Sequence, residues 1–270
     1  MTSSQTIQSF ACVDHAVDPD ALVRFLDTVS TRYFGALNER SFALLQLSRG
    51  SAVLEAGCGT GKDAVALQAL VGPEGRVVGI DSSQVMLSQA VERASKTGSR
   101  VEFQLGDVQR LAFDDATFDG IRSSRLLCHV DDPRRALSEM IRVLRPRGHV
   151  VAIEPDHDTL VIAAPDRDCT RKIVHAFGDG FRHGWTGRSL PVWCRELGLR
   201  DIQVEPHTIQ MDYEFVMDTL GLRKKVEELQ QSGSITAAEG SAWMTFQKRA
   251  AEAGLFFSAI TVFMVAGRKE

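Results

Sequence analysis

The feature that most constrains this 270-residue chain is a loop of alternating glycines between a short apolar run and a helix-like segment. Glu55 and Ala56 end the apolar run, and Gly57, Gly59 and Gly61 follow. Glycine permits a tight turn, and its missing Cβ lets a ligand approach backbone groups at the start of the next helix. The pattern favours a nucleotide-like ligand bound beyond the end of the first strand.

Short runs rich in valine and isoleucine alternate with helix-like segments from residue 53 onward. This alternation is typical of a mostly parallel sheet covered by helices on both faces. Strands are predicted at residues 52–56, 76–80, 101–105, 118–122, 149–153, 202–210 and 259–266, and intervening helices at 62–71, 84–94, 134–144 and 190–197. The predicted fold class is α/β, a Rossmann-like seven-stranded sandwich with its ligand site along the edge where the strands end.

Two segments depart from this repeat. Residues 1–50 contain apolar residues at helical spacing and predict an N-terminal helical lid. Residues 51–211 form the predicted α/β core. Residues 212–254 separate the last two strands by far more chain than a hairpin needs, which predicts an inserted helical cap before the final core strand in residues 255–270.

Composition and charge exclude several classes of partner. A net charge of −4 gives no general attraction to nucleic acid. The most apolar stretch, residues 255–267, is shorter than the roughly 20 residues of a membrane span, so no membrane partner is predicted. The five cysteines include no CxxC pair, so we expect no metal site, no disulfide framework and a cytoplasmic location. The sequence leaves homo-oligomerisation open.

Residue spacing narrows the nature of the ligand. A dinucleotide loop needs glycine where Lys62 stands, and a phosphate-binding loop needs serine or threonine where Asp63 stands. Asp81 ends the second predicted strand and Asp107 follows the third, where carboxylates accept hydrogen bonds from ribose hydroxyls and an adenine amine. Together with Glu55, these acids suit a cationic adenosyl ligand without phosphate.

Four motifs together resemble the class I S-adenosylmethionine-dependent methyltransferases, especially the small-molecule branch of quinone and natural-product biosynthesis. They are LEAGCGTG at residues 54–61, VVGIDSSQVML at 77–87, QLGDVQRLAFDDATFDGIRSS at 104–124 and MIRVLRPRGHVVAIEP at 140–155. The resemblance implies an S-adenosyl-L-methionine-dependent methyltransferase with the class I form of the predicted sandwich.

The resemblance also assigns cofactor contacts. The glycine loop would hold the methionine part, Asp81 the ribose and Asp107 the adenine, with Met86 and Val108 flanking the ring. The implied cofactor residues are Glu55, Gly57, Gly59, Thr60, Gly61, Asp81, Ser82, Met86, Gly106, Asp107, Val108 and Ser124. The run from Arg122 to Arg125 departs from the family's usual apolar-to-polar run, a departure expected to affect the substrate side more than cofactor binding.

Two histidines are the candidate catalytic residues. Methyl transfer depends mainly on proximity, alignment and water exclusion, but an oxygen or carbon acceptor often needs a general base. His129 follows the fourth strand, where the family's loop reaches the transferred methyl and frequently carries a histidine. His157 follows the fifth predicted strand and is the second candidate. For both, a structural histidine in a turn or bonded to backbone is the competing interpretation.

Tyr33, Trp185 and Arg188 are candidate substrate-binding residues, with ordinary packing and surface ion pairing as competing interpretations. Tyr33 and Arg40 lie on the leading helices and are candidates for contact with the methionine carboxylate. The predicted function is methyl transfer to an oxygen or carbon of a small organic acceptor of the secondary-metabolite or quinone type. The alternatives are a cofactor-binding relative with a non-methylating role and a nucleic-acid or protein methyltransferase, which would need a basic face or an added recognition domain.

Overall fold

A seven-stranded sheet lies at the centre of the computed structural model, which describes residues 13–14 and 18–270. The strands are β1 (Ala52–Ala56), β2 (Arg76–Asp81), β3 (Glu102–Leu105), β4 (Phe118–Ser124), β5 (Leu144–Ile162), β6 (Arg200–Gln210) and β7 (Ser258–Arg268). Their order is β3-β2-β1-β4-β5-β7-β6, with β7 antiparallel to both neighbours and β1 to β5 parallel. The predicted α/β sandwich is confirmed.

Helices cover both faces of this sheet. They are α1 (Pro19–Arg32), α2 (Gly35–Leu44), α3 (Lys62–Val71), α4 (Gln84–Thr97), α5 (Pro133–Val143), α6 (Arg167–Gly178), α7 (Thr186–Glu196), α8 (Leu222–Gln231) and α9 (Ala237–Glu252), with one π-helical turn at Phe215–Thr219. Within the described part of the chain, no helix is long and apolar enough to cross a bilayer.

Alternate residues of the buried strands supply two apolar cores. Val53 and Val77 pack with α3, the leading helices and the cap on one face. Leu54 and Val78 pack with α5 and α7 on the other. Because successive side chains of a strand point to opposite faces, continuous apolar strands are what a two-sided sheet requires.

Two elements differ from the sequence prediction. The fifth strand was predicted to end at residue 153, but β5 continues to Ile162 through an irregularity in its pairing with β7 between Asp156 and Val161. His157 therefore lies inside this long strand rather than in a loop after it. Helix α6 was not predicted, although Asp166 caps its start and Ile173 and Phe177 lie on its buried face.

The predicted domain boundaries at residues 50, 211 and 254 stay a prediction. Cys12 and most of residues 1–17, the beginning of the predicted lid, lie outside the described residues. The rest of that lid forms α1 and α2, and the predicted cap contains the π-helical turn, α8 and α9.

Candidate functional site

A cavity of about 600 Å³ opens at the edge where the parallel strands end. Its cofactor end is formed by the strand-end residues Glu55, Gly57, Gly59, Asp81, Met86, Asp107 and Val108. Its acceptor end is formed by the mainly apolar residues His129, His157, Phe177, Phe181, Ile209, Met211, Phe215, Ile260 and Val262. Every predicted cofactor residue except Gly61 lines this cavity.

The glycine loop has the left-handed backbone that its sequence demands. Gly57 has a φ of 69°, and a Cβ there would lie 2.7 Å from the Leu126 side chain. Gly61 has a φ of 75° and packs instead against α4, where a Cβ would lie 2.7 Å from that of Ala90. One glycine thus permits the turn beside the cavity, and the other permits close packing of two helices.

Asp81 ties the loops after β1 and β2 together. Its carboxylate accepts hydrogen bonds from the Gly59 N–H at 2.8 Å and the Ser83 N–H at 3.0 Å. Burial raises its pKa, and these backbone donors oppose that rise. The predicted ribose-binding carboxylate therefore lines the cavity and also fixes the shape of the glycine loop.

Glu55 belongs to a buried polar network that the sequence did not reveal. Its carboxylate pairs with the fully buried Arg122, which also donates to Asn38 Oδ1 at 2.6 Å and Ser41 Oγ at 2.7 Å. Asp63 Oδ2 lies 3.2 Å from Arg122 Nη1. Burial raises the pKa of Glu55 to about 8, against the opposing effect of Arg122.

This network corrects the expectation for the departure at residue 122. Arg122 was expected to affect the substrate side, but it contacts Glu55 and links β4 to α2 behind the cofactor end. A buried arginine needs several acceptors, and α2 supplies two of them. The sequence signal for this role was a charged residue inside an otherwise apolar strand.

The lid contacts the glycine loop through polar side chains. Asp27 on α1 accepts from Thr60 Oγ1 at 2.8 Å and from Arg93 Nη2 at 2.8 Å. Lys62 Nζ donates to Thr31 Oγ1 at 2.8 Å. These contacts place α1 over the cofactor end.

Met86 and Val108 are buried beside the cavity, and Asp107 is exposed at its rim. Met86 packs in a small cluster with Val13 and Leu22 from the N-terminal segment. Met86 and Val108 thus lie where the two apolar residues expected to flank the adenine ring should be.

His129 lies in the turn after β4, at the acceptor end. Burial lowers the pKa of its imidazole to about 4, and the nearby Arg125 contributes. The turn is held by Glu154, whose buried carboxylate accepts from the N–H groups of Leu126 at 2.8 Å and Leu127 at 2.7 Å. Burial raises the pKa of Glu154 to about 7.

Sequence reasoning missed Glu154. The available signal was a carboxylate directly after the apolar run 150–153 of β5. Such a residue needs buried hydrogen-bond donors, and the backbone of the neighbouring strand-end turn supplies them.

His157 stacks on Phe181 with 3.5 Å between ring centroids and contacts the edge of Phe177. Its Nδ1 is buried without a hydrogen-bond partner among the described residues. Burial lowers its pKa to about 3, and His129 is close enough to contribute. Both predicted catalytic histidines therefore face one cavity, and both are neutral near pH 7.

The three predicted substrate residues separate into two groups. Tyr33 lines the cavity and donates to Asp212 Oδ2 at 2.5 Å, and burial raises its pKa to about 12. Trp185 and Arg188 lie outside the cavity lining. Trp185 is 57% exposed and covers Arg188, which forms an ion pair with the buried Asp156.

The structure thus places Trp185 and Arg188, two predicted substrate residues, away from the cavity lining. Asp156 is buried on the long strand β5 and needs a counter-ion, which Arg188 supplies from α7. Arg40 likewise does not reach the cavity, because it pairs with Glu205 of β6.

The start of the cap closes the acceptor end. Phe215 and Leu220 line the cavity, and Phe215 lies 4.7 Å from the Tyr33 ring, measured between centroids. Trp243 of α9 lies farther away, buried against α6 with its Nε1 donating to Thr170 Oγ1 at 3.0 Å. The cap thus supplies both a cavity wall and ordinary core.

The cofactor end suits an adenosyl sulfonium. One carboxylate oxygen of Glu55 is buried without a partner among the described residues, and Asp81 and Asp107 also line the cavity. The carboxylates of Asp81 and Asp107 attract a cationic ligand and can accept from hydroxyl and amine groups, whereas they would repel a pyrophosphate.

Comparison with known proteins agrees with this geometry. A family model described as a methyltransferase domain matches residues 53–148. The chain is 32% identical over 196 residues to demethylmenaquinone methyltransferase of Bacillus cereus, an alignment that covers 67% of this chain and 83% of that one. It is 36% identical over 250 residues to an uncharacterized 37.1 kDa transposon protein of Streptomyces fradiae, covering 91% of this chain and 71% of that one.

The fold is also similar to that of a solved S-adenosylmethionine-dependent methyltransferase from Aquifex aeolicus. The TM-score is 0.54 at 16% identity, and the match covers 93% of this chain and 98% of that one. At this identity the likeness concerns the fold alone.

Proposed function

Because the chain belongs to the class I S-adenosylmethionine-dependent methyltransferases, we propose that it methylates an oxygen or carbon atom of a small organic acceptor. The acceptor is of the quinone or secondary-metabolite type and binds at the acceptor end of the cavity. The observation that carries the proposal is the pair of neutral histidines, His129 and His157, in a wall of aromatic and aliphatic side chains.

The cofactor, when bound, supplies an electrophilic methyl group on a sulfonium. The residues that would hold the cofactor are Asp81 at the ribose, Asp107 at the adenine and the unpartnered carboxyl oxygen of Glu55 beside the glycine loop. Phe177, Phe181 and the cap exclude water from the other end, which strengthens alignment and prevents hydrolysis.

His129 is the proposed general base. Its lowered pKa keeps the imidazole neutral near pH 7, and the neutral form is the one that accepts the proton of an acceptor hydroxyl or an activated carbon. His157 is the second candidate for this role, since its buried Nδ1 has no partner among the described residues. Glu154 acts as a positioning residue, because it holds the turn that carries His129.

The nature of the cavity supports a small acceptor. The cavity of about 600 Å³ must hold both the cofactor and the acceptor, and α1 and the cap contribute to its walls. An apolar, ring-bearing molecule matches these walls, and the similarity to a demethylmenaquinone methyltransferase supports a quinone-like one. The described cysteines are buried free thiols, which supports the proposed cytoplasmic location.

A labelled-methyl assay tests the proposal. The full chain would be incubated with methyl-labelled S-adenosylmethionine and a panel of hydroquinones, catechols and hydroxylated naphthoquinones, with product analysis by mass spectrometry. We expect a labelled product methylated at oxygen or carbon. Cofactor binding by calorimetry with no labelled product from the panel would contradict the proposal and favour the non-methylating alternative.

A further inference from the structure

Arg125 is a cation enclosed in the cavity wall without an acidic partner. Among residues 13–14 and 18–270, no carboxylate oxygen lies within 4.0 Å of its guanidinium nitrogens. The only hydrogen bond of its side chain among them is from Nη2 to the neutral Ser30 Oγ at 2.8 Å, and its Nε is buried without a partner. The guanidinium lies 4.4 Å from the centre of the Phe34 ring.

The backbone at Arg125 is also unusual. Its φ is 54°, a left-handed value that costs free energy for any residue with a Cβ. Its N–H donates to Ile153 O at 2.8 Å, which fixes this conformation at the end of β4. A strained backbone therefore directs a long charged side chain between α1 and the cavity.

Two other cations line the cavity, and they differ from Arg125. Arg182 forms an ion pair with Asp131. Lys62 donates to Thr31 and begins α3. Burial lowers the pKa of Arg125, and the more distant carboxylates of Asp63 and Glu154 only partly oppose this effect. An enclosed guanidinium with free donors is most stable when an anionic oxygen joins it.

We propose that Arg125 forms an anion subsite that binds a carboxylate or a comparable anionic oxygen between the cofactor end and the acceptor end. The group has two sources, the amino-acid carboxylate of the cofactor and an anionic oxygen on the acceptor. This inference rests on the proposed function only in that both molecules share the cavity. The proposal concerns the affinity for an anionic group, so binding measurements test it without any methyl transfer.

Calorimetry on the full chain separates the two sources. The first pair of probes is S-adenosylhomocysteine and 5′-methylthioadenosine, which lacks the amino-acid part. The second pair, added to protein saturated with S-adenosylhomocysteine, is 2-naphthoate and 2-naphthol. The variants are Arg125→Gln, Arg125→Lys and, as a matched loss of one positive charge in the same cavity, Arg182→Gln.

We expect Arg125→Gln to lower the affinity for one carboxylate-bearing probe roughly 10- to 100-fold. The affinity for the matching probe without a carboxylate should change less than about threefold. A loss for S-adenosylhomocysteine assigns the subsite to the cofactor, and a loss for 2-naphthoate assigns it to the acceptor. Arg125→Lys should restore part of the affinity, because it retains the charge without the planar fork.

Equal affinities of Arg125→Gln and the unchanged protein for all four probes would overturn the proposal. An equal loss in Arg182→Gln would also overturn it, because the effect would then come from the general field of the cavity. If Arg125→Gln fails to fold, the unchanged protein still tests the subsite. It must bind 2-naphthoate more tightly than 2-naphthol, or S-adenosylhomocysteine more tightly than 5′-methylthioadenosine, and this preference must shrink as salt is raised.

Failure of methyl transfer would not affect these measurements. A chain that binds the carboxylate probes through Arg125 but methylates nothing would refute the proposed function and keep the anion subsite. If the chain methylates an acceptor while Arg125→Gln binds all four probes normally, the proposed function stands and the anion subsite is refuted.

Discussion

The two ends of the cavity are built in different ways. The cofactor end is polar and comes from short loops after β1, β2 and β3, each next to its own strand in sequence. The acceptor end is apolar and collects side chains from the turn after β4, β5, α6, β6, the cap and β7. Local chain geometry is sufficient for the first, whereas the second depends on how distant elements pack.

This difference separates binding from chemistry. Substitutions at the cofactor end should change affinity for the cofactor, and substitutions at the acceptor end should change turnover. Residues outside both ends should change neither.

The largest effect is expected for His129→Ala. Loss of the proposed base should lower kcat on the order of 10²-fold, with cofactor affinity unchanged within about twofold. Steady-state kinetics on an acceptor found in the labelled-methyl assay, with calorimetry, would measure both. His175→Ala, which removes an exposed histidine on α6, is the matched control. Equal kcat values for the two variants would assign His129 a structural role.

Asp81→Ala should weaken cofactor binding by about 2 kcal/mol, a Kd roughly 30-fold higher. The change removes a ribose acceptor and also leaves the Gly59 and Ser83 N–H groups without their carboxylate. Calorimetry with S-adenosylhomocysteine measures it, with Glu252→Ala on the exposed face of α9 as control. A Kd like that of the control would remove Asp81 from the cofactor site.

The histidines at the acceptor end should make stability depend on pH. The pKa of His157 in the folded protein is about 3, below its ordinary value of 6.5, so its contribution is fully present above pH 6.5 and is lost as pH falls. Between pH 7 and pH 5 the unchanged protein should lose about 2 kcal/mol more stability than His157→Asn. Urea unfolding at several pH values measures this, and parallel stability curves would argue against a buried neutral imidazole.

Glu154→Gln tests whether the hydrogen bonds of Glu154 to the turn after β4 position His129 at the acceptor end. The amide keeps one acceptor oxygen but places donors against the backbone N–H groups of residues 126–128. We expect a loss of about 1–2 kcal/mol in unfolding free energy. A fall of about tenfold in kcat, with KM for the cofactor unchanged, would accompany it. Full stability with unchanged kcat would show that Glu154 does not position His129.

The smallest effect is expected for Trp185→Ala. Its side chain is exposed and lies outside the cavity, so unfolding free energy should change by less than about 0.5 kcal/mol and kcat/KM by less than about twofold. A large rise in KM for the acceptor would show that Trp185 contacts the substrate. The acceptor site would then extend beyond the cavity described above.

The sequence by itself determined the fold and most of the cofactor end. Alternating apolar strands and helices specify a parallel sheet, and the glycine loop, Asp81 and Asp107 each follow directly from a strand end. Such features need only local backbone geometry, so their spacing along the chain carries the information. All but Gly61 of the predicted cofactor residues consequently line the cavity.

Only the tertiary structure decided how charged and aromatic residues are paired. Arg122 binds Glu55, Arg188 binds Asp156, and Arg125 is left without an acid among the described residues. The partners of these arginines lie far from them in sequence: Asp156 is 32 positions from Arg188, and Ser30 is 95 positions from Arg125. Burial and partner choice arise when elements pack together, and no periodicity within a single element encodes them.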